Sequence, residues 1–200
     1  MKRIIQCLAA TFIAICPVAV SGAEATTVSN STSPDGVNHF QIVAPIEKGG
    51  ASSLVLVPAQ GGEPVGSMVL GSYAAYPLVA DPANLGILWA GDSKHFAMMV
   101  RGTKRSWTAR IHSAEDRELK SVAVPSATTK ALAILGASKT HRVCRETPRK
   151  WLDADHLVVR ASGDAEVDKH VIWYEVEITY SISTKTITES KLISNVPHDG

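Results

Sequence analysis

A strict two-residue alternation near the end of the chain constrains its fold more than any other feature. In VIWYEVEITYSIS (171–183), apolar residues at 176, 178, 180 and 182 alternate with polar residues at 175, 177, 179 and 181. A period of two places successive side chains on opposite faces of a strand, so that one face meets a core and the other meets water. The chain then turns at 183–186 and continues into ITESKLIS, which predicts a long antiparallel hairpin.

The chain before this hairpin consists mostly of short apolar runs separated by glycine, proline, aspartate and serine. HFQIVAP, SSLVLVPA, GSMVLGSY, HFAMMVRG, SWTARIHS and LKSVAVPS each have the length and composition of a strand. SATTKALAILGASK is the exception, because Ser126 or Thr128 can cap a helix and Gly136 suits the position just after its end. We therefore predict a mainly β, antiparallel meander with one short helix near 127–136.

An aspartate in a turn, followed by a strand, occurs three times in the chain. The three segments are SPDGVNHFQIVAP at 33–45, WAGDSKHFAMMVRG at 89–102 and WLDADHLVVRASG at 151–163. Their aspartates, Asp35, Asp92 and Asp153, are spaced 57 and 61 residues apart. A carboxylate suits the first corner of a turn because it accepts backbone N–H groups two residues further on. Trp89 and Trp151 precede the second and third turns and are expected to cover them, so all five residues are predicted to be structural.

This repeated phrase resembles the W-S-P-D-G/S turn and strand of the TolB-like and WD40-like β-propeller repeats. The resemblance rests on SPDG at 33–36 and WAGDS at 89–93, with WLDAD at 151–155 as a looser third copy. It implies a propeller-like domain. However, the units are longer than the roughly 40–50 residues of a typical blade. They also number three, whereas a closed ring usually has about four to eight blades. We therefore expect about three repeat-like units in a small or incomplete propeller-like domain.

The N-terminus is typical of a secretory signal peptide. Lys2 and Arg3 precede the uncharged apolar run IIQCLAATFIAICPVAV, and the small residues of SGAEA would allow cleavage before Glu24 or Thr26. The run is at the short end for a membrane-spanning helix. We predict a signal peptide at 1–23, export to the periplasm or the cell exterior, and contact with the membrane only through the signal before its cleavage.

The remaining chain divides into three predicted parts: a flexible leader at 24–37, a single β-rich domain at 38–196 and a loose tail at 197–200. The leader is small and polar and lacks periodicity. Removal of the signal would leave Cys144 as the single cysteine, so that no internal disulfide can form. The fold must then rest on a hydrophobic core, which a chain of this length can supply.

Charge identifies one candidate binding site. The chain has 20 basic and 19 acidic residues and no basic stripe, so nucleic acid is not an expected partner. The densest positive stretch is RGTKRSWTAR, which contains Arg101, Lys104, Arg105, Trp107 and Arg110. Such a patch can bind an anionic polymer, and it can equally be the solvated side of a hairpin.

A second local cluster is a candidate metal site. DADH places Asp153, Asp155 and His156 within four positions, and carboxylate and imidazole groups are common metal ligands. The fragment is too short to match a calcium loop, and no phosphate-binding glycine loop leads into a helix. No cofactor is therefore expected.

The segment around Asp92, Ser93 and His95 contains the residue types of a hydrolase triad. However, Ser93 is not part of a Gly-x-Ser-x-Gly elbow. The equivalent positions in the other two copies are Gly36 and Ala154, so the serine varies within the chain while the aspartate stays. This pattern favours a structural turn over a catalytic site.

Three functions remain open from the sequence. The first is an exported binding module for another envelope protein or a cell-wall polymer, which ranks first because no catalytic set is assembled. The second is an exported hydrolase whose site would be assembled in three dimensions from Asp92, His95, Asp155, His156 and Cys144. The third is a subunit that self-associates through open sheet edges.

Overall fold

The computed structural model describes residues 25–44, 51–70, 86–115 and 118–197, which form twelve strands and one helix. The strands are β1 (Ala25–Thr27), β2 (Asn38–Val43), β3 (Ser53–Pro58), β4 (Gly66–Val69), β5 (Leu88–Trp89), β6 (His95–Thr103), β7 (Ser106–Glu115), β8 (Glu118–Val122), β9 (Thr140–Trp151), β10 (His156–Val167), β11 (His170–Ser181) and β12 (Thr186–Pro197). The helix is α1 (Ala127–Leu135). The predicted signal peptide at 1–23 lies outside the described residues.

The twelve strands form three successive four-stranded antiparallel meanders. Unit 1 contains β1 to β4, unit 2 contains β5 to β8 and unit 3 contains β9 to β12, with neighbouring strands paired in chain order. Unit 1 is a separate sheet, whereas units 2 and 3 share one eight-stranded sheet. This confirms the prediction of a mainly β, antiparallel fold with one short helix. The strand order among the described residues is open and does not close into a ring.

Units 2 and 3 meet at a fork on one edge of β7. Because β6 pairs with β7 along one edge, β8 and β9 share the other edge. β9 runs parallel to β7 over only two residue pairs, Ser106 with Cys144 and Trp107 with Arg145. β8 pairs with β7 further along, from Ile111 to Glu115. Between these two pairings, a stretch of β7 has no backbone partner on this edge.

The carboxylate of Glu146, which is only 3% exposed, fills this fork. Its Oε2 accepts the N–H of Ala109 at 3.2 Å. Its Oε1 accepts the hydroxyl of Ser126 at 2.9 Å and the N–H of Thr128 at 2.8 Å. A buried backbone donor normally needs a partner, and here one side chain serves both β7 and the start of α1.

α1 begins and ends at the residues that its sequence predicts. Ser126 is the N-cap, and its hydroxyl accepts the N–H of Thr129. Gly136 adopts the left-handed conformation with φ of 70° just after the helix, as glycine does readily. The helix has nine residues and buries Ala127 and Ala131 against the sheet. Among the described residues, no helix has the length and apolar character that a bilayer crossing requires.

Unit 2 lies between two hydrophobic clusters. The first combines buried residues of β6, β7, α1, β10 and β11, and the second combines residues of unit 1 with Phe96 and Met98 of β6. Ala97, which lies between those two residues, belongs to the first cluster. The three successive residues Phe96, Ala97 and Met98 are therefore all buried, because both faces of the strand are covered here.

The apolar and polar residues that alternate along β11 each face suitable surroundings. Val176, Ile178 and Tyr180 are buried in the first cluster. On the other face, the guanidinium of Arg160 donates to Glu175 at 3.3 Å and to Glu177 at 2.8 Å. The polar face is thus held by a pair of hydrogen-bonded ion pairs across β10 and β11.

The prediction of a flexible leader at 24–37 is wrong for the residues that the structure describes there. β1 pairs with β2, and Val28, Ser31 and Ser33 are buried. The hydroxyl of Ser31 donates to the carbonyl of Val28 at 2.7 Å and accepts the N–H of Phe40 at 2.9 Å. This segment is ordered by hydroxyl-to-backbone bonds, which leave no hydrophobic period in the sequence. The first residue of the predicted tail at 197–200 is part of a strand, because β12 includes Pro197. Residues 198–200 lie outside the described residues.

We expect replacement of Glu146 by alanine to destabilise the fold strongly. Glu146→Ala leaves three donors without their acceptor, which should lower the free energy of unfolding by about 3–5 kcal/mol. Glu146→Gln keeps an acceptor oxygen and should cost less than half as much. Urea unfolding followed by circular dichroism measures both, with Glu189→Ala on the exposed side of β12 as the control. Equal losses for Glu146→Ala and Glu189→Ala would contradict this role.

Candidate functional site

The predicted basic stretch forms the hairpin between β6 and β7. β6 ends at Thr103 and β7 begins at Ser106, so Lys104 and Arg105 occupy the tip. Arg101 pairs in register with Trp107, and Trp107 pairs in register with Arg145 of β9. Three side chains from three strands therefore form one lateral row beside the hairpin tip.

Two guanidinium groups of this row lie over the ring of Trp107. The Cζ atom of Arg101 is 5.5 Å from the ring centroid, and that of Arg145 is 4.6 Å from it. The Arg101 side chain is also anchored to the hairpin, because its Nε donates to Thr103 O at 3.0 Å and its Nη2 to Lys104 O at 3.1 Å. Such contacts hold cationic and aromatic groups in a defined arrangement, each cation–π pair contributing about 0.5–1 kcal/mol when exposed.

We call Arg101, Lys104, Arg105, Trp107 and Arg145 the basic–aromatic patch. Lys104, Arg105 and Arg145 are exposed. None of the ion pairs between described residues involves a member of the patch. Its four positive charges therefore face solvent without a carboxylate partner, and an indole plane lies among them. Chemically, this arrangement suits a ligand that carries several negative charges and a ring or planar group.

Arg145, which was not among the predicted residues, lies in the patch, and Arg110, which was predicted with them, lies apart from it. Arg145 reaches Trp107 only through the parallel pairing of β7 and β9, which connects positions far apart in the chain. The only indication in the sequence was the basic character of THRVCRET (140–147), the segment that contains Arg145. Arg110 is three residues from Trp107 on the same strand, so the two side chains point to opposite faces.

Arg110 instead borders a cavity between units 1 and 2. The cavity has a volume of about 190 Å³ and is also lined by His112. His112 is 5% exposed and stacks on Phe96, with ring centroids 5.2 Å apart. Its Nδ1 has no hydrogen-bond partner among the described residues. Burial, together with the nearby charge of Arg110, lowers the pKa of His112 to about 4. The imidazole is therefore neutral at pH 7.

Two of the turn aspartates bind their turns in the same way. Asp92 Oδ1 accepts the N–H groups of Lys94 at 2.9 Å and His95 at 3.0 Å. Asp153 Oδ1 accepts those of Asp155 and His156, each at 2.7 Å. In both turns the carboxylate also contacts Nδ1 of the histidine three residues on, at 2.7 Å in the first and 3.0 Å in the second.

The aspartate of unit 1 makes a simpler turn. Asp35 Oδ1 accepts the N–H of Val37 at 3.1 Å and also the hydroxyl of Ser33. The residue after the aspartate has a positive φ in the first two turns, 73° at Gly36 and 58° at Ser93. Ser93 thus occupies a backbone position that glycine fills in the other turn.

Hydrogen bonds lower the pKa of all three turn carboxylates. For Asp35 the main cause is the Ser33 hydroxyl, and for Asp153 it is the N–H of Asp155. For Asp92, partial burial acts to raise the pKa, and the bonds from Lys94 and His95 outweigh it, so the pKa is lowered. Each carboxylate is therefore charged at neutral pH.

The two tryptophans connect each unit to the one before it. Trp89 Nε1 donates to the carbonyl of Ser31 in unit 1 at 2.8 Å. Trp151 Nε1 donates to the carbonyl of Leu88 in unit 2 at 3.0 Å. A further bond links the first two turns, since the N–H of Asp35 donates to Ser93 Oγ at 3.1 Å. Hydrogen bonds therefore join the three units in chain order.

The hydroxyl groups beside the two aspartate–histidine pairs bond elsewhere. Ser93 Oγ accepts the backbone N–H of Asp35, and Ser181 Oγ donates to Asp155 Oδ2 at 2.8 Å. Cys144 is half-buried in β9, and burial with the nearby Glu146 and Asp164 carboxylates raises the pKa of its thiol. The thiol is therefore protonated at neutral pH, which opposes a nucleophilic role.

The predicted metal ligands lie together, but each has other bonds. His156 Nδ1 is 3.0 Å from Asp153 Oδ2, and its Nε2 is 3.7 Å from Asp155 Oδ2. Asp155 also accepts the N–H of Ser183 at 2.6 Å. In the part of the chain that the structure describes, no three His, Cys, Asp or Glu side chains are grouped so as to hold a metal ion.

The chain matches no model of a known protein family, no curated protein and no solved structure.

We expect His112 to make the stability of the protein depend on pH. The unfolded imidazole binds its proton near pH 6.5, and the folded one only near pH 4. The unfolded state therefore holds more protons between these values, and the free energy of unfolding should fall by about 3 kcal/mol as the pH drops through this window.

The variant His112→Phe removes this titration and should flatten the pH dependence in that window. Chemical denaturation at a series of pH values measures it. His141→Phe, at an exposed position of β9, is the control and should keep the wild-type slope. A wild-type slope in His112→Phe would show that the imidazole is not buried in its neutral form.

Proposed function

We propose that this protein is an exported, β-rich binding module and that the basic–aromatic patch binds an anionic polymer of the cell envelope. The observation that carries the proposal is the lateral row of Arg101, Trp107 and Arg145, with Lys104 and Arg105 beside it. The row spans three strands of one sheet, so the groups are held on a rigid support rather than on a loop.

Polymer binding follows from the chemistry of the row. Repeated carboxylate, phosphate or sulfate groups can each pair with one of the four cations, and a sugar ring can lie against the indole. Because Arg101 is bonded to the hairpin backbone, little side-chain freedom is lost when its guanidinium pairs with an anion. Exposed charges are screened by salt, so the affinity should decrease as ionic strength increases.

We infer that the three meanders are propeller-like repeats of an incomplete ring. The inference is supported by the two tryptophan bonds, since each joins equivalent parts of successive units. A protein with such open ends has edges at which a second copy can add, and the exposed side chains of Leu192, Ile193 and Val196 lie on the edge strand β12. Self-association through this edge remains a prediction.

The alternative of an exported hydrolase has less support. Asp92 with His95 and Asp153 with His156 are oriented carboxylate–imidazole pairs, as a general base requires. However, the hydroxyls of Ser93 and Ser181 are engaged with other groups. A nucleophile in place beside one of these histidines would be needed to favour this function.

We expect the protein to bind dextran sulfate and not neutral dextran. Biolayer interferometry should show affinity for the sulfated polymer that falls more than about tenfold between about 50 and 300 mM salt. Arg145→Gln and Trp107→Ala should each weaken binding by about fivefold or more, since the first removes a guanidinium and the second the plane that orders both guanidiniums.

Lys191→Gln, on β12, removes the same charge at a distant exposed position and is the control for Arg145→Gln. Arg110→Gln is the control within β7, because its side chain lies on the opposite face. If either control weakened binding as much as Arg145→Gln, attraction would be diffuse and the patch would not be the site. Binding of neutral dextran as tightly as dextran sulfate would also count against the proposal.

We expect the exported form to begin at Glu24. Cleavage before Thr26 would remove Ala25, which pairs with Val43 in β1, whereas cleavage before Glu24 leaves β1 complete. Intact mass measurement of the protein from the periplasm or medium of an expressing bacterial culture identifies the first residue. A cytoplasmic protein that retains residues 1–23 would refute export.

A further inference from the structure

The cavity between units 1 and 2 has an apolar wall. Met68 and Leu70 line it from unit 1, and Met98 and Val100 line it from β6. Val69, at its rim, is 74% exposed although it is apolar. An apolar cavity of about 150 Å³ holds one benzene molecule. The cavity here is about 190 Å³ and partly open to solvent, which leaves room for a single ring or branched chain with one small substituent.

Two polar groups enter this wall from one face of β7. Arg110 and His112 are two residues apart on the strand, so their side chains lie on the same side. Arg110 is exposed and takes no part in any ion pair between described residues. His112 is almost fully buried, and its Nδ1 lacks a partner among the described residues. Buried polar atoms without partners are rare in native proteins, and each calls for a physical explanation.

We propose that this cavity binds a small organic carboxylate with one apolar ring or branched chain. The apolar part lies against Met68, Val69 and Val100, and the carboxylate pairs with the guanidinium of Arg110. The imidazole of His112 supplies a further hydrogen bond to the ligand. The charge of Arg110 determines the class of ligand: among the described residues that line the cavity, Arg110 is the only cation and none is acidic.

This site is independent of the basic–aromatic patch. Trp107 lies three positions before Arg110 on β7, so the patch and the cavity use opposite faces of the same strand. A polymer bound at the patch does not occupy the cavity. The two proposals can therefore fail separately.

The test compares benzoate with benzamide, which has nearly the same shape and no charge. Titration calorimetry and ¹⁵N NMR of the histidine rings are carried out with the full protein at pH 7. We expect benzoate to bind with a Kd on the order of 0.1–1 mM, and benzamide at least about tenfold more weakly. The ring signals of His112 should shift with benzoate and not with dextran sulfate.

Two substitutions change the cavity through different properties. Arg110→Gln should reduce benzoate affinity about tenfold and remove the preference over benzamide. Met98→Trp fills the cavity and should abolish binding of both compounds. Since overpacking can unfold a core, Val69→Glu serves as a second variant: it adds a negative charge at the exposed rim and should weaken benzoate but not benzamide.

Arg105→Gln is the matched control, because it removes an arginine from the same hairpin on the side of the patch. It should leave benzoate binding unchanged. The proposal is overturned if the wild-type protein binds no benzoate at about 10 mM. It is also overturned if benzamide binds equally well, or if Arg105→Gln weakens binding as much as Arg110→Gln. Loss of dextran sulfate binding alone would overturn the patch and leave this site standing.

Discussion

The buried carboxylate of Glu146 is the interaction on which the arrangement of units 2 and 3 depends. β7 cannot pair fully with both β8 and β9 on one edge, so the two strands divide it and leave a gap. Glu146 accepts the buried N–H of Ala109 in that gap and holds the first turn of α1 beside it. The short parallel contact that this permits is also what brings Arg145 to Trp107. One carboxylate thus determines both the junction and the composition of the proposed polymer site.

Because both faces of unit 2 are covered, the direction of each side chain on β7 determines its surroundings. Alternation along β7 directs Trp107 to one side and Arg110 with His112 to the other. The exposed patch and the partly open cavity therefore share a strand but differ in surroundings. The patch keeps its charges in water, where the proposed polymer would meet them. In the cavity, apolar walls keep His112 neutral and reduce the volume to that of a small molecule.

The strands and the helix were predictable from the sequence because their signals are local. The period of two in β11 and the caps at Ser126 and Gly136 each involve a few neighbouring residues. The segment at 25–37 was misread because hydroxyl-to-backbone bonds, such as those of Ser31, produce no hydrophobic pattern. Part of the candidate site was predicted, because its four hairpin residues lie within the stretch 101–107. Arg145 belongs to the site only through a pairing of distant strands.

By itself, the sequence determined most of the segments that become strands, where α1 begins and ends, and that aspartates initiate the turns, since these depend on side-chain periodicity and short-range hydrogen bonds. Only the tertiary structure decided which strands became neighbours across unit boundaries. That choice assigned Arg145 to the patch, placed Arg110 and His112 in a cavity and made Trp89 and Trp151 contacts between units. The reason is physical: pairing between distant strands depends on how whole faces pack and how buried donors find acceptors, and no local stretch of residues encodes either.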